Sequence, residues 1–377
     1  MDLGFLRRLY DEIGDYVSVY LETDRIHGQN SSEAIEIRWH DARRQLADAG
    51  ARPGSLDAVA EVVGDPDEVA PGRAIFARDG AVAFTGALDG PPRREIARLA
   101  PLPHLMPLLA QHRPPIPHVR VSATRTGGEI VAIGGSGDAW RDWVAGRQWP
   151  VHKVSVGGWS QDRYQRSAEE TWEENAKDLA AEVIAAANQV GARHVIVSGD
   201  IRARSMLLEH LPTALRESAA VVDKEVSADS AAMAEAADQA LSDWADRDRR
   251  DRFESWGTHL AHDRAVQGLA QTLTALRNGQ VSDVFLADNP HSAVTAWIGP
   301  GGTDLAATQE ELLVRGVSEP VSDRADAAIV RAVASTDAEL HFLPEDLVVT
   351  GDPAACGGVA RPLDGIGATL RFPLVSA

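Results

Sequence analysis

The stretch Val156-Gly-Gly-Trp-Ser-Gln-Asp-Arg-Tyr-Gln-Arg166 joins a glycine pair to a strongly periodic segment. Glycine adopts positive φ at little steric cost, so Gly157 and Gly158 allow a loop tip to approach another backbone or a base closely. Apolar residues then recur at three- and four-residue steps, which predicts one face of a long helix: Trp172, Ala176, Leu179, Val183, Ile184 and Ala187. The sequence allows two starting points for this helix: near Ser160, or at Ser167, which forms a Ser-x-x-Glu capping box with Glu170.

The segments on either side of this helix complete a small α/β domain. Upstream, strands are predicted at Val119–Ala123 and Glu129–Ile133, joined by a glycine turn. Downstream, the apolar run His194–Ser198 is typical of a buried strand, and Ser205–Leu211 of another helix. Proline stiffens His112–His118 and removes backbone donors, which marks a domain boundary there. We therefore predict a middle domain over residues 116–225.

The residues before this boundary, 1–115, are predicted to form an N-terminal α/β domain. A short amphipathic helix is expected around Leu3–Ile13, a strand at Tyr16–Leu21 and a helix at about Ser32–Ala49. Strand-like runs at Arg73–Ala77 and Ala81–Thr85 flank Asp79-Gly80, a turn pair that predicts a hairpin.

The remaining residues, 226–377, are predicted to form a C-terminal α/β domain. It begins with charged helical residues Ala231–His262, a second helix at Val266–Arg277 and the stop signal Asn278-Gly279. A strand at Val281–Ala287 follows, and further elements are expected at Ala293–Ile298, Ala327–Ala334, Glu339–Phe342 and Ala368–Phe372. Alternating helices and strands with short connections give the predicted fold class: α/β, with three domains and mixed sheets flanked by helices.

Composition excludes several kinds of site. The chain has 377 residues, of which 44% are hydrophobic and 25% charged, as in globular proteins. A single cysteine, Cys356, excludes an intrachain disulfide and any multi-cysteine zinc or iron–sulfur site. The histidines lack a His-Glu-x-x-His spacing, so neither a metal nor a cofactor is predicted. No run approaches the roughly 18 apolar residues of a membrane span, and we expect a cytoplasmic protein.

The formal net charge of −19 opposes broad attraction to nucleic acid, so any RNA contact must be local. Lys153, Arg163 and Arg166 make the glycine stretch locally basic, and Arg202 and Arg204 could extend that surface. Such side chains bind phosphates. The alternative also stands, that the two arginines of the stretch pair with nearby glutamates at helical spacing, namely Glu169, Glu170 or Glu173.

The same stretch resembles the middle domain of archaeal and eukaryotic class-one release factors. That family carries Gly-Gly-Gln, then Ser, an Arg-aromatic pair, another Arg and a long helix. Six residues fit the pattern here: Gly157, Gly158, Ser160, Arg163, Tyr164 and Arg166. Val195–Asp200 and Leu269–Leu286 fit later parts of the family, while residues 1–115 fit by position alone. Pro150-Val-His-Lys153 followed by Gly158-Trp159 is most similar to a bacterial subgroup that includes mycobacterial release-factor-like proteins.

The resemblance implies a ribosome-directed protein of the release-factor and Pelota superfamily, with Balon-like hibernation proteins as its functional model. It implies binding to rRNA in the A site, in hibernation, stress response or rescue, with a translational GTPase such as elongation factor Tu as partner. The residues it assigns to ribosome binding are His152, Lys153, Gly157, Gly158, Trp159, Ser160, Arg163 and Arg166. Stop-codon reading is not expected, because residues 1–115 lack the Asn-Ile-Lys-Ser and Tyr-x-Cys patterns.

Trp159 stands where the family has its catalytic glutamine. In release factors that amide positions the water that attacks the peptidyl ester. Indole has one donor and no acceptor, so peptide release is expected to be absent or much weakened, and no residue is assigned as catalytic. Trp159 could instead stack on a base, worth about 1–3 kcal/mol. Two alternatives stay open: an ester or peptidyl-tRNA hydrolase using the same loop, with Gln161 as a displaced amide, or a stress protein that has lost the ribosome.

Other candidate residues have plain structural interpretations. His194 and His341 lie beside apolar runs and are predicted to be core or edge histidines. Cys356 has no neighbouring histidine that would make it a nucleophile. The glycine pairs at 134–135, 301–302 and 357–358 are predicted to be turns, since no Walker or Gly-x-Gly-x-x-Gly pattern accompanies them.

Overall fold

The computed structural model describes residues 1–23, 32–65, 70–111, 115–146, 158–289, 292–344 and 358–373; for 158–168 it describes the backbone only. Contacts divide the chain into two compact units. The split unit comprises Met1–Arg113 with Asp248–Ala377, and the middle unit is Pro114–Arg247. The predicted class, α/β with mixed sheets flanked by helices, is confirmed. The three domain boundaries stay a prediction.

The N-terminal part of the split unit is an antiparallel sheet in the order β3-β2-β1-β4 with helices beside it. Its strands are β1 (Tyr16–Glu22), β2 (Gly72–Arg78), β3 (Ala81–Leu88) and β4 (Ile96–Ala100). Its helices are α1 (Ser32–Asp48), α2 (Pro53–Gly64) and α3 (Met106–Gln111), preceded by a 3-10 helix at Gly4–Tyr10. Asp79 and Gly80 both have positive φ, as a two-residue hairpin turn requires, and the predicted hairpin is confirmed.

The middle unit is a five-stranded sheet in the order β7-β6-β5-β8-β9, in which β5, β8 and β9 run parallel. Its strands are β5 (His118–Thr124), β6 (Gly127–Ile133), β7 (Ala139–Ala145), β8 (His194–Gly199) and β9 (Ala219–Val221). Its helices are α4 (Gly158–Val190), α5 (Ile201–His210) and α6 (Thr213–Glu217). The helix α7 (Ala231–Leu260) follows, and its residues up to Arg247 belong to the middle unit.

Strand alternation places the two faces of the middle sheet in different cores. One face carries Val119, Val121 and Val197, which pack with Leu179 and Val183 of α4. The opposite face carries the apolar residues that α7 covers, Ile196 against Met233 and Ala237. The predicted apolar face of α4 is therefore confirmed as the side that meets the sheet.

The C-terminal part of the split unit contains a sheet in the order β10-β16-β11-β15 and a small sheet in the order β13-β12-β14. Its strands are β10 (Ala265–Gln267), β11 (Val281–Leu286), β12 (Thr295–Ile298), β13 (Leu305–Ala306), β14 (Val321–Arg324), β15 (Glu339–Phe342) and β16 (Ile366–Leu370). Its helices are α8 (Leu269–Arg277), α9 (Gln309–Val314) and α10 (Ala325–Ser335), with a 3-10 turn at Leu363–Gly365.

A shared core joins the two parts of the split unit. Leu6 and Tyr10 of the first 3-10 helix belong to the same buried cluster as Val330 and Val333 of α10. Arg331 is 1% exposed and donates hydrogen bonds to three backbone carbonyls. These are the carbonyls of Tyr10 at 3.3 Å, Gly299 at 2.8 Å and Pro300 at 2.6 Å.

Several expected elements differ from the structure for local reasons. The helix expected over Val266–Arg277 is wrong at its start, because Gly268 has φ of 81° and separates β10 from α8. The helix expected at Leu3–Ile13 is a shorter 3-10 helix. Ser167 lies inside α4, so the capping box is wrong and the alternative start near Ser160 is closer. Among the described residues, no helix has the length and apolar character to cross a bilayer.

Candidate functional site

The predicted ribosome-binding residues fall into two groups. His152, Lys153 and Gly157 lie outside the described residues. The other five occupy the first turns of α4, whose backbone is helical from Gly158: Gly158, Trp159, Ser160, Arg163 and Arg166. Their role in binding stays a prediction, but their place at the head of a 33-residue helix is defined.

The head of α4 precedes the part of the helix that packs on the sheet. Trp172 and Asn175 lie at the edge where β5 and β8 end, since both contact Arg125, which follows β5. From there the helix packs onto the sheet through Leu179 and later residues. At a rise of about 1.5 Å per residue, Gly158 stands about 21 Å ahead of Trp172 along the helix axis. The family-like residues from Gly158 onward therefore form the first turns of α4, ahead of the part that packs on the sheet.

Arg125 holds α4 at the edge of the sheet. Its guanidinium lies 4.8 Å from the ring centre of Trp172, a cation–π contact. It also lies 2.9 Å from the Oδ2 atom of Asp200, and its carbonyl accepts a hydrogen bond of 2.9 Å from Asn175, which is 1% exposed. These contacts tie α4 to the ends of β5 and β8. Sequence reasoning missed Arg125, because no local pattern pairs it with residues 47 and 75 positions away.

Asp200 follows Gly199, at a turn where only glycine fits. Gly199 has φ of 106°, and a Cβ there would lie 2.0 Å from the Ala123 carbonyl oxygen. Asp200 then caps α5 by accepting hydrogen bonds from the backbone of Arg202 and Ala203. Burial acts to raise the pKa of Asp200, but the hydrogen bonds from Arg125 and from these amides outweigh it, and the pKa is lowered. The carboxylate is thus held charged beside Arg125.

The two arginines of α5 have different environments. Arg202 is exposed, as a phosphate contact requires. Arg204 is buried, donates to the Val222 carbonyl and lies 3.6 Å from Asp223. The expectation that both arginines extend a basic surface is therefore wrong for Arg204, because its position in α5 faces the core beside Leu207.

The glutamates of α4 bear on the alternative in which Arg163 and Arg166 form helical ion pairs. Glu173 already lies 2.8 Å from the Nε2 atom of His210 on α5. Glu170 is exposed. The pairing of the two arginines stays open, but one of its three candidate acceptors has another partner.

His194 and two of the glycine pairs are structural. His194 is 5% exposed and meets the ring of Trp244 edge-on at 4.1 Å, so it is a core histidine as predicted. Gly134 forms a turn with Asp138, and Gly301 donates its amide to the Oδ2 atom of Asp304, so both pairs are turns as predicted. Cys356 lies outside the described residues.

A family model and two mycobacterial proteins are similar to this chain. Residues 117–262 match the family model of bacterial archaeo-eukaryotic release factor family 2. Over 384 aligned residues the chain is 28% identical to the uncharacterized protein Rv2629 of Mycobacterium tuberculosis strain H37Rv, covering 97% of this chain and 96% of that one. The protein MT2704 of strain CDC 1551 matches equally.

Solved structures of archaeal and eukaryotic factors are more distant. The archaeal termination factor aRF1 is 15% identical with a TM-score of 0.25, covering 98% of this chain and 96% of that one. Archaeoglobus fulgidus Pelota is 15% identical with a TM-score of 0.32, covering 81% and 80%. Saccharomyces cerevisiae Dom34 is 12% identical with a TM-score of 0.37, covering 80% of each chain. TM-scores this low give no basis for transferring positions from those proteins.

Proposed function

We propose that this chain, which matches the model of bacterial archaeo-eukaryotic release factor family 2 over residues 117–262, binds the ribosomal A site and acts in hibernation or rescue without reading a stop codon. It is an RNA-binding protein of the cytoplasm in this proposal, and it holds a ribosome rather than terminating synthesis. The proposal is supported by the family match and by one structural observation, the place of the family-like residues in the first turns of the 33-residue helix α4.

The start of α4, called the tip from here on, suits insertion into a narrow cavity because one long helix carries it. The family-like residues begin a helix whose Trp172 and Asn175 are fixed at the sheet edge by Arg125. A tip held by a rigid helix loses little conformational freedom on binding, which favours affinity from a small contact. An acidic protein needs such an arrangement, because its net charge of −19 gives no long-range attraction to rRNA.

The residue types at the tip suit three kinds of contact with rRNA: base stacking, phosphate binding and hydrogen bonding. Trp159 stacks on a base exposed in the cavity, while Gly157 and Gly158 allow close approach of the backbone. The basic residues bind phosphates at short range: Lys153, Arg163 and Arg166. His152 and Ser160 supply hydrogen bonds. Because indole cannot orient water as the family's glutamine does, the bound tip occupies the site without hydrolysing the ester.

Delivery by a translational GTPase such as elongation factor Tu belongs to the same proposal. It follows from the resemblance to factors that act with such a partner. Ribosome binding that strengthens when elongation factor Tu and GTP are added would support it, and binding that is unchanged would leave the factor acting alone.

Co-sedimentation with vacant bacterial ribosomes tests the proposal. The test variant carries Gly157→Ala, Gly158→Ala and Trp159→Ala. The matched control is Trp143→Ala, which removes another tryptophan of the middle unit, 60% exposed on β7 but outside the family-like stretch. We expect saturable, salt-sensitive binding by wild type and control, and at least tenfold weaker binding by the test variant, about the loss of one stacked base.

Other outcomes contradict defined parts of the proposal. Equal binding by the test variant would refute the tip as the contact. No binding to vacant, tRNA-filled or GTPase-supplemented ribosomes would refute the ribosomal role and favour a protein that has lost the ribosome. Peptide release by wild type that a Gln161→Ala variant abolishes would replace a binding function with hydrolysis.

A further inference from the structure

Three side chains from neighbouring strands of the split unit meet at one point outside the proposed ribosome-binding tip. The parallel strands β11 and β15 place Asp283 opposite Glu339 and Phe285 opposite His341. Residues two apart on a strand point to the same face, so the two carboxylates and the imidazole share it. Candidate ligand atoms of Asp283, Glu339 and His341 all lie within 4.8 Å of one another.

The spacing of these atoms fits a bound ion. The Nε2 atom of His341 lies 2.9 Å from the Oδ1 atom of Asp283 and 3.5 Å from the Oε2 atom of Glu339. Three ligands placed about 2.0–2.2 Å from a tetrahedral zinc ion lie roughly 3.4 Å apart. Movements of about an ångström would therefore seat an ion between the three groups.

Neighbouring residues orient the ligands in the way that metal sites require. Ser282 donates a hydrogen bond of 2.8 Å to the Oδ2 atom of Asp283, which leaves Oδ1 to face the cluster. The ring of Phe285 stacks on the imidazole of His341 with a centroid distance of 5.4 Å. Such outer contacts fix ligand geometry and contribute to metal affinity.

Cations already near the carboxylates make their shorter contacts elsewhere. Arg252 lies 3.9 Å from Asp283 but 2.8 Å from Asp248. The Met1 amino group lies 3.4 Å from Glu339 but 2.9 Å from the Leu340 carbonyl. A close charge-assisted hydrogen bond measures about 2.7–2.9 Å, so neither cation fully neutralises the carboxylates.

We propose that Asp283, Glu339 and His341 bind one divalent transition-metal ion of the zinc class. One nitrogen and two oxygen ligands suit zinc, whereas calcium takes six to eight oxygens. The Glu339 side chain is 48% exposed, which gives an ion access and leaves room for a water ligand. The proposal is independent of ribosome binding. No local sequence motif predicts the site, because Asp283 and His341 are 58 residues apart in the sequence.

Calorimetric titration of the full, tag-free, chelator-treated chain with Zn²⁺ tests this site, with Co²⁺ absorption as a spectroscopic check on coordination. The ligand variants are His341→Gln and Glu339→Gln. The matched controls are His262→Gln and Glu319→Gln, which change exposed residues of the same split unit. We expect one Zn²⁺ per wild-type chain, retention in both controls and at least tenfold weaker binding in both ligand variants, on the scale known for lost metal-site contacts.

Glu339→Gln keeps the test decisive if His341→Gln fails to fold, because Glu339 is half exposed. Absence of Zn²⁺ binding to wild type at millimolar concentration would overturn the proposal. So would binding that Glu339→Gln leaves unchanged, since the ion would then lie elsewhere. Tighter binding of Ca²⁺ or Mg²⁺ than of Zn²⁺ would overturn the assigned class of ion.

Discussion

Substitution of Gly199 by alanine tests the close approach of β8 to β5 at the sheet edge where Arg125 holds α4. Gly199 ends β8 with φ of 106°, and an added Cβ would lie 2.0 Å from the Ala123 oxygen and 2.8 Å from its carbonyl carbon and nitrogen. Because these are backbone atoms of β5, no side chain can rotate to relieve the overlap. The two strands must separate locally, which also weakens the 3.0 Å hydrogen bond from the Asp200 amide to Ala123.

The expected loss in the free energy of unfolding of the middle unit is about 3–7 kcal/mol. Backbone strain in a region reserved for glycine costs about 1–3 kcal/mol. Forcing atoms into a packed site costs about 1–3 kcal/mol more, and a lost hydrogen bond about 1 kcal/mol. Since whole domains are stable by about 5–15 kcal/mol, this single methyl group would remove a large share.

Gly191→Ala is the matched control. Gly191 also has positive φ, 69°, but an added Cβ meets nothing within 4 Å. It should cost only the strain of a left-handed residue, about 1–2 kcal/mol. Urea unfolding followed by tryptophan fluorescence gives the total change, and hydrogen exchange read by mass spectrometry localises it to β5 and β8. Equal losses in the two variants, or unchanged exchange at β5, would refute the close approach at Gly199 as the determinant.

Two further predictions concern buried charge. The pKa values of His118 and His194 are lowered, mainly by burial, so both stay neutral in the fold while the unfolded chain takes up protons near pH 6.5. The stabilisation from these two neutral histidines is complete above that pH and is lost as the pH falls through their lowered pKa values. The urea midpoint should therefore drop from pH 7.5 to pH 5, and it should drop less steeply in His194→Gln. An identical slope in wild type and variant would contradict this prediction. Arg331→Met leaves three backbone carbonyls without their donor, two of them in buried hydrogen bonds, and should cost about 3–5 kcal/mol. The exposed control Arg315→Met should cost under about 0.5 kcal/mol. Similar urea midpoints for the two variants would contradict the role assigned to Arg331.

Local signals explain which elements the sequence predicts correctly. The Asp79-Gly80 pair defines a hairpin without help from distant residues, and the apolar spacing of α4 identifies the side that meets the sheet. By contrast, β10 is only three residues long and exists because it pairs with β16, about a hundred residues later. A pairing partner so distant leaves no trace in the local pattern, so the segment is predicted as helix.

The candidate site divides in the same way. The glycine stretch can be recognised from the order of its residues alone, and its described part begins α4 at Gly158. Arg125, which holds the base of the tip, carries no signal because its contacts are with Trp172 and Asp200. Arg204 shows the opposite error, since a charged residue in a helix of mixed polarity can be buried when a carbonyl such as that of Val222 accepts a hydrogen bond from it.

The split unit has a consequence for how the protein is made. Leu6 and Tyr10 share a core with Val330 and Val333, yet the whole middle unit is translated between these two parts. At about 5–20 residues per second, the passage from Arg113 to Asp248 alone takes about 7–27 s. During that interval the nascent N-terminal part carries an uncovered apolar surface, while the middle unit can already collapse. The early segment is therefore a natural client for chaperones, and pausing of translation near the middle unit would lengthen its exposure.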